Sequence, residues 1–328
     1  MVGWPFLDVL RSRKRSGMGQ GTVSDMKRLK QPPASWPHAR VAPDCRAALR
    51  DLEDGMTIGV GGALNSGHPM ALVRALLQSD LKDLTLVSGF GGMEMDMLAG
   101  SGMVRRLIAA FVGNEGVSGL PPLTRWACET DRIDAWDVDE GLLLVAWRAA
   151  AQNLPYAIWR GGMGTHATKN PLTEEAVDEA TGIHYLKVKP IRLDVSLYWA
   201  EAADTEGNVL RWGPDFGDIA LVEASALRIV QVERIVPTRR LAQAPDRVMP
   251  WQADIVVASP LGTYPFASTT LNDDPHWLNT YMKIMSNLHK EGDWEKVRPA
   301  LRSLLCLDGD GDAFLEAVGV RRLRELMA

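Results

Sequence analysis

The chain has 328 residues, of which 46% are hydrophobic and 23% charged, an ordinary balance for a globular protein that argues against a disordered or fibrous one. Its formal net charge of −5 and the absence of zinc-finger spacing argue against nucleic acid as a partner. No run of about 18 apolar residues predicts a membrane span, and three scattered cysteines without a CxxC pair favour a soluble protein of the reducing cytoplasm.

The first 43 residues differ in composition from the rest of the chain. They are rich in Lys and Arg, with only Asp8 and Asp25 as acids, and they lack the apolar core of a secretion signal. We expect residues 1–43 to form a basic, disordered extension and residues 44–328 to form a single α/β domain with a helical C-terminal part. A transit peptide and a true start at Met26 are alternative interpretations of the extension.

From Cys45 onward, short apolar runs alternate with helical patterns, which is typical of a sheet covered by helices. We therefore predict an open, mostly parallel α/β sheet with helices on both faces. In chain order the predicted elements are a strand at 56–60, a helix at 69–80, strands at 83–88 and 104–112, a helix at 120–131, a strand at 132–138, a helix at 141–153, strands at 156–160 and 193–200, a helix at 218–226, strands at 227–236 and within 254–266, and helices thereafter.

A glycine-rich loop, GVGGALNSGHP at residues 59–69, joins the first of these strands to the first helix. Backbone N–H groups at such a junction can hold an anion or polarise a carbonyl, so Gly61, Gly62 and Asn65 are candidate substrate contacts. The spacing matches neither GxGxxG nor GxxxxGK[ST], which excludes the dinucleotide and P-loop interpretations. A tight structural turn is the competing interpretation, and His68 is expected to be a cap or a surface side chain.

A second glycine loop, RGGMGTHATKNP at residues 160–171, follows a predicted strand. Because loops at the carboxyl ends of strands are where α/β sheets bind ligands, Gly162 and Gly164 are further candidate contacts. A simple turn is again the alternative. The six histidines show no HxxxH or HExxH pairing and the chain has no GxSxG elbow, so neither a metal centre nor a serine nucleophile is predicted.

Three carboxylates, Asp137, Asp139 and Glu140, crowd the start of the predicted helix at 141–153. In one interpretation Asp139 caps the helix and Glu140 complements its dipole, which is worth roughly 0.3–1 kcal/mol. In the other, the helix is apolar nearly all round and its first turn is buried with it. Desolvation of a carboxyl favours the protonated form, so a buried Glu140 would serve as a general base near neutral pH.

Seven segments of the chain form an ordered set: DGMTIGVGG, HPMALVRALLQSDLKDLTLVS, VRRLIAAFVG, DEGLLLVAWRAAAQNLP, ADTEGNV, VERIVPT and VVASPLGTYP. In this order they resemble the α subunit of family I CoA-transferases of the glutaconate CoA-transferase type, from about residue 45 to about residue 290. The resemblance implies an open α/β sheet and a β subunit of the same family as partner, in a heterodimer or heterotetramer. It also implies a CoA thioester bound at the subunit interface and no tightly bound cofactor.

The resemblance leaves two mechanisms open. Family transferases use a nucleophilic glutamate of the β subunit, within a Glu-Asn-Gly motif that this chain lacks. The stretch DEGLLLVAWRAAAQNLPY resembles more closely the α subunit of a two-subunit hydrolase that opens steroid rings in bacterial cholesterol breakdown. In that hydrolase the α subunit uses a glutamate to activate water or a carbon acid. Glu140 is thereby implied as the catalytic base or, in a transferase, as a neighbour that positions the partner's glutamate.

Two further implications concern the substrate. The N–H groups of Gly61 and Gly62 would border the thioester carbonyl and stabilise an oxyanion there. The front loop, GGALNSGHP, lacks the aromatic residue and the basic pair expected of the steroid branch, so the acyl group can differ.

A sugar-phosphate-binding regulatory domain is the alternative from another class, because ribose-5-phosphate isomerase-like and DeoR-type domains contain sheets of this kind. Such a module would bind its ligand without a second subunit. The region 83–120 has no obvious constellation of lysine and aspartate for that chemistry, so the CoA-thioester interpretation is preferred.

Overall fold

The computed structural model describes residues 39–114, 120–213 and 216–327. Most of the predicted extension, 1–43, lies outside the described residues. Its last part is described: Arg40–Ala42 form a strand that pairs in parallel with the strand Ile255–Ala258. The sheet therefore begins inside the segment that composition had set apart as an extension.

Thirteen strands are described. Their bounds are β1 (Arg40–Ala42), β2 (Thr57–Val60), β3 (Leu84–Gly91), β4 (Val104–Val112), β5 (Asp134–Asp137), β6 (Ala157–Trp159), β7 (Thr173–Val177), β8 (His184–Val188), β9 (Leu193–Ala203), β10 (Asn208–Leu210), β11 (Ser225–Ile235), β12 (Val248–Gln252) and β13 (Ile255–Ala258). Eight of them form a parallel sheet in the order β1-β13-β11-β9-β2-β3-β4-β5. β10 and β12 extend it beside β9 by antiparallel pairing, and β6-β8-β7 make a small separate antiparallel sheet.

Helices cover both faces of the parallel sheet, as predicted. The described α-helices are α1 (Cys45–Ala48), α2 (Met70–Leu77), α3 (Met93–Gly100), α4 (Pro122–Glu129), α5 (Glu140–Ala151), α6 (Asp218–Glu223), α7 (Thr238–Leu241), α8 (Pro275–Glu291), α9 (Val297–Leu304), α10 (Ala313–Val318) and α11 (Val320–Leu326). One apolar core joins α2, α3, α4 and the C-terminal helices to the sheet, and a second joins α5, α6 and the small sheet to its other face. None of the described helices is long and apolar enough to cross a lipid bilayer.

Helix α3 was missed by the sequence pattern, which led from β3 directly to β4. These two strands are parallel, and parallel strands need a crossover connection. All eight residues of α3 are buried, including Glu94 and Asp96, so the sequence shows none of the alternation between apolar and polar faces by which helices are recognised. The small antiparallel sheet was also missed, apart from its strand β6.

The chain reverses its direction of winding between β2 and β9. From β2 it moves outward through β3, β4 and β5, and from β9 it moves the opposite way through β11 and β13. Open α/β sheets bind ligands outside the carboxyl ends of their strands at such a reversal. The topology thus directs attention to the carboxyl ends of β2 and β9.

Asp96 is a fully buried acid that ties α3 to the neighbouring helices. Its carboxylate accepts the N–H of Thr124 at 2.6 Å and the hydroxyl of Tyr281 at 2.8 Å. Burial nevertheless raises the pKa of the Asp96 carboxyl to about 6. The folded chain therefore retains this proton in a range of pH where the unfolded chain, with an ordinary pKa of 3.8, has lost it.

We expect replacement of Asp96→Asn to flatten the dependence of stability on pH. The contribution of the protonated carboxyl is complete below pH 3.8 and is lost as pH rises through about 6, a loss on the order of 3 kcal/mol. Between pH 4 and pH 7 the free energy of unfolding should fall further in the original chain than in the variant, as measured with denaturant at both pH values. Asp80→Asn, at an exposed aspartate, is the control, and equal falls in the Asp96→Asn and original chains would contradict the prediction.

Candidate active site

A crevice of about 160 Å³ lies at the carboxyl ends of β2 and β9, where the winding reverses. Its walls are mostly aromatic or small, with three hydroxyl groups and one guanidinium among them. The lining residues are Ala63, Ser66, Gly67, Trp199, Arg211, Trp212, Gly213, Phe216, Ser268 and Thr269. Such a mixture of apolar walls and a few convergent polar groups is typical of a small-molecule site.

The glycine loop predicted from sequence forms one side of this crevice, but its amides are already engaged. The N–H of Gly61 donates to the carbonyl of Leu197 at 2.9 Å, and the N–H of Gly62 donates to a carboxylate oxygen of Asp218 at 3.1 Å. Their role as oxyanion donors stays a prediction, and it would require both amides to leave these acceptors. Asn65 lies in the same loop, where its backbone carbonyl accepts the N–H of Ala267 at 2.8 Å.

Gly62 is required for a steric reason instead. Its φ of +103° lies in the region that favours glycine. A Cβ at this position would lie 2.6 Å from Nδ1 of His68. The loop can therefore fold tightly over the histidine only because residue 62 has no side chain.

A buried ion pair fixes the floor of the crevice. The guanidinium of Arg211 contacts the carboxylate of Asp218, and both side chains are almost completely buried. Because the same carboxylate accepts the Gly62 amide, Asp218 links the glycine loop to Arg211, which directly follows β10. Neither residue was singled out from the sequence, since only the fold brings them together.

Two further carboxylates hold the tryptophan walls of the crevice. Glu201 accepts the backbone N–H of Trp212 at 2.7 Å, and Glu233 accepts the indole N–H of Trp199 at 3.0 Å. Burial raises the pKa of both carboxyl groups. They stand on the adjacent strands β9 and β11, and no local pattern in the sequence marks either of them.

His68 is completely buried, contrary to the expectation of a cap or surface side chain. Its Nδ1 lies 3.1 Å from Oε1 of Glu94, which is equally buried, and its Nε2 lies 2.9 Å from the carbonyl oxygen of Leu64. Its ring packs at a tilt against Phe266, with centroids 4.5 Å apart. The histidine therefore lies beneath the glycine loop, as part of its support.

Glu140 begins α5, just past the carboxyl end of β5. Asp139 is the helix cap, because its carboxylate accepts the N–H of Leu142 at 2.8 Å. The Glu140 side chain is exposed in this chain and has no hydrogen bond or ion pair with any described residue. The expectation that Glu140 is buried is therefore wrong for the single chain, since the first turn of α5 directs Leu142 and Leu143 into the core and leaves Glu140 exposed.

The second glycine loop lies against the start of α5. A Cβ on Gly162 would lie 3.7 Å from the carboxylate of Asp139, and one on Gly141 would overlap the ring of Trp159. Asn170, at the end of the loop, donates to the carbonyl of Asp137. Partial burial raises the pKa of Asp137 itself. The loop is thus fixed beside Glu140, with Gly164 at a φ of +74° and open space around it.

The candidate residues therefore form two groups on one edge of the sheet. Gly61, Gly62 and Asn65 lie in the loop that forms one side of the crevice without lining it themselves, whereas Glu140 and Gly162 lie beyond β5. Three strand spacings of about 4.8 Å separate β2 from β5, so the two groups are roughly 14 Å apart. Within the described residues, no cluster of three or more His, Cys, Asp or Glu side chains could hold a metal ion.

A doubly wound α/β protein with a crevice at its topological reversal is the class that the fold and site define. The chain belongs to the coenzyme A transferase family, whose model matches residues 44–251. Within this family it is of the α type, and its relatives are CoA-transferases or ring-cleaving hydrolase subunits. Family members act on CoA thioesters, and the names of the relatives, as A or alpha subunits, imply a partner subunit.

Individual relatives illustrate both activities. The chain is 34% identical over 239 residues to the cholesterol ring-cleaving hydrolase IpdA subunit of Mycobacterium tuberculosis, covering 68% of this chain and 81% of the relative. It is 26% identical over 299 residues to the A subunit of glutaconate CoA-transferase from Acidaminococcus fermentans, covering 85% of this chain and 92% of the relative. The crystal structure of that transferase superposes with a TM-score of 0.81 at 24% identity, covering 88% of this chain and 96% of the other, which confirms the predicted fold.

The close contact at Gly62 predicts a larger loss of stability from Gly62→Ala than from Gly213→Ala. Both glycines have a positive φ, +103° and +92°, so each substitution costs roughly 1–2 kcal/mol in backbone strain. Only the Cβ at residue 62 also overlaps the His68 ring, which should cost roughly 1–3 kcal/mol more. Denaturant unfolding of the two variants measures the difference. Equal losses would show that the overlap with His68 is relieved without cost.

Proposed function

We propose that the chain is the α subunit of a two-subunit hydrolase that cleaves a ring of a CoA-thioester substrate, with Glu140 as the general base. The observation that carries the proposal is the free carboxylate of Glu140 at the carboxyl edge of the sheet, where Asp139 already fulfils the capping role. The identity of 34% with a ring-cleaving hydrolase subunit supports the same assignment. In this proposal the parallel sheet and the C-terminal helices belong to a single domain.

The role of Glu140 in this reaction is to take a proton. Its ionised carboxylate removes the proton from a water molecule or from a carbon acid of the substrate. With water, the resulting hydroxide attacks the ring carbonyl, and the bond to the neighbouring ring carbon breaks as that carbon takes up the proton. An exposed carboxylate is a weak base, so the proposal requires that the partner subunit or the substrate covers Glu140 and removes its water.

The two groups of candidate residues accommodate different parts of the substrate. The crevice beside Trp199 and Trp212 takes a small apolar portion, whereas Glu140 and the loop at Gly162 and Gly164 face the reacting bond. Because the Gly61 and Gly62 amides are engaged, their role is to shape the crevice, and the oxyanion requires other donors.

The remaining features of the proposal follow from the family. The partner is a β subunit, in a heterodimer or heterotetramer, and the pair acts in the cytoplasm in acyl-CoA or steroid-ring catabolism. Coenzyme A enters as part of the substrate, and no tightly bound cofactor is needed for a proton transfer and a hydrolysis.

A true CoA-transferase is the second candidate. It is favoured by the match to the A subunit of glutaconate CoA-transferase, which covers 85% of this chain. In that case the nucleophilic glutamate belongs to the β subunit, since the Glu-Asn-Gly motif is absent from this sequence, and Glu140 positions it.

Glu140→Gln should reduce kcat for thioester turnover by the reconstituted pair by roughly 10²–10⁴-fold, the usual contribution of a general base. The measurement is product formation on a panel of CoA thioesters, using this chain co-expressed with the product of the adjacent gene. Glu316→Gln is a matched control, because Glu316 is also an exposed glutamate in the first turn of a helix. Full activity of Glu140→Gln would remove Glu140 from the mechanism.

Turnover in ¹⁸O-labelled water distinguishes the two candidate reactions. A ring-cleaving hydrolase should incorporate one labelled oxygen into the new carboxyl group without any added acid. A transferase should instead need an acceptor carboxylate and move CoA to it. Strict dependence on the acceptor, with no ring cleavage, would reject the hydrolase proposal.

A further inference from the structure

The pair formed by His68 and Glu94 is the most completely buried titratable cluster near the crevice that the proposed reaction does not use. Neither side chain has any exposed surface. His68 stands at the end of the glycine loop, and Glu94 lies in the first turn of α3. Burying two such groups is costly unless each is paired, so their contacts decide what the pair does.

Both ring nitrogens of His68 face acceptors. Nε2 lies 2.9 Å from the carbonyl oxygen of Leu64, and a carbonyl oxygen can only accept. Nδ1 lies 3.1 Å from Oε1 of Glu94, and the same oxygen accepts the N–H of Gly92 at 2.9 Å. A neutral imidazole carries one N–H and would leave one nitrogen lone pair facing an acceptor, whereas an imidazolium donates to Leu64 and forms an ion-pair contact with Glu94, without hydrogen-bond geometry at Nδ1.

The surrounding charges favour the imidazolium. Burial by itself lowers the pKa of His68, but the charge and contact of Glu94 raise it, and the balance lies above the ordinary value. Asp218, on α6, is the other charged group that raises the pKa of His68, and Asp218 is itself paired with Arg211. The pair is therefore an ion pair whose charges balance within the protein.

The bond from His68 holds a strained residue in place. Leu64 has a φ of +54°, a region that costs a side chain with Cβ of the order of 1–3 kcal/mol. Its N–H donates to Phe90 at 3.1 Å and its carbonyl accepts from His68. Leu64 is in the turn between Ala63 and Ser66, whose backbones exchange two hydrogen bonds of 2.9 Å.

We propose that the His68–Glu94 ion pair is a positioning device that holds Leu64 in its left-handed conformation and thereby places Ala63, Ser66 and Gly67 along the wall of the crevice. These three residues line the crevice directly, so a relaxed Leu64 would move the surface against which the substrate packs. His68 and Glu94 act through the loop and do not touch the substrate. The inference rests on the proposed function for its catalytic consequence, but its structural part is independent.

Glu94→Gln is the sharpest test, because it keeps the shape and removes the charge. An amide whose oxygen still accepts from Gly92 offers His68 no compensating charge, so the histidine becomes neutral and its bond to the Leu64 carbonyl is no longer strengthened by charge. In the reconstituted pair we expect hydrogen exchange of peptides covering 61–67 to rise at least roughly tenfold, the equivalent of one hydrogen bond to a charged group. KM should rise by a similar factor, with a smaller change in kcat.

Glu129→Gln is the matched control. Glu129 forms the other described His–Glu ion pair, with His289 at the same distance of 3.1 Å but partly exposed. The same substitution there should leave exchange in 61–67 and KM unchanged. The double variant His68→Phe with Glu94→Gln removes both charges while keeping a ring against Phe266, and it should be no worse than Glu94→Gln alone if the two residues act as one unit.

Each outcome is decisive. Unchanged exchange in 61–67 of Glu94→Gln would overturn the proposal, whether or not the pair turns over a thioester. Exchange that rises equally throughout the chain would show a general structural role and would also overturn the proposal. A local rise in exchange at 61–67 with an unchanged KM would show that the loop does not position the substrate, which overturns the proposal as well. Absence of turnover by the unmodified pair would reject the proposed function while the exchange result still tests the ion pair.

Discussion

Charged side chains buried beneath the loops at the carboxyl edge of the sheet must each find a partner, because an unpaired buried charge is strongly destabilising. This constraint determines the shape of the crevice. Asp218 pairs with Arg211 and accepts the amide of Gly62, and Glu94 pairs with His68. Charged groups from two other segments therefore fix the glycine loop. The amides of Gly61 and Gly62 are both engaged within the protein, by the carbonyl of Leu197 and the carboxylate of Asp218.

The crevice contains such paired buried charges, whereas the described surroundings of Glu140 do not. The crevice is lined by described residues of this chain, and Glu201 and Glu233 accept hydrogen bonds from its two tryptophans. At the start of α5, Asp139 and the second glycine loop fix the backbone. No described residue forms a hydrogen bond or an ion pair with the Glu140 carboxylate. One part of the candidate site is thus lined by residues of this chain, and the other is exposed.

The sequence could predict the architecture because most of its elements carry local signals. Apolar runs of strand length alternate with helices such as α2 and α5, and parallel pairing follows from that alternation. It could not predict α3, whose eight residues are all buried, because a helix surrounded by core has no polar face to mark it.

The candidate site likewise contains residues that the sequence could predict and residues that it could not. Gly62 and the start of α5 were found because glycine loops and helix caps are local patterns, readable from a few neighbouring residues. The partners that decide their chemistry were not found. Asp218 lies 156 residues from Gly62, and the partner of the buried His68, which was expected at the surface, comes from α3, the helix that the pattern missed. Local signals located the backbone of the site, but the charges that define it come from long-range contacts.

The Glu140 carboxylate lies in open solvent, where water screens its interaction with neighbouring charges. Covering it with a low-dielectric surface removes that screening and strengthens every interaction it makes. Trp212 and Phe216 remain 46% and 42% exposed beside the crevice, so apolar surface is available for such a cover on the same edge of the sheet. Both candidate reactions require this step, whether the cover brings a second glutamate or only excludes water. In both proposals the chemistry at Glu140 therefore depends on assembly, whereas the crevice is lined by described residues of this chain.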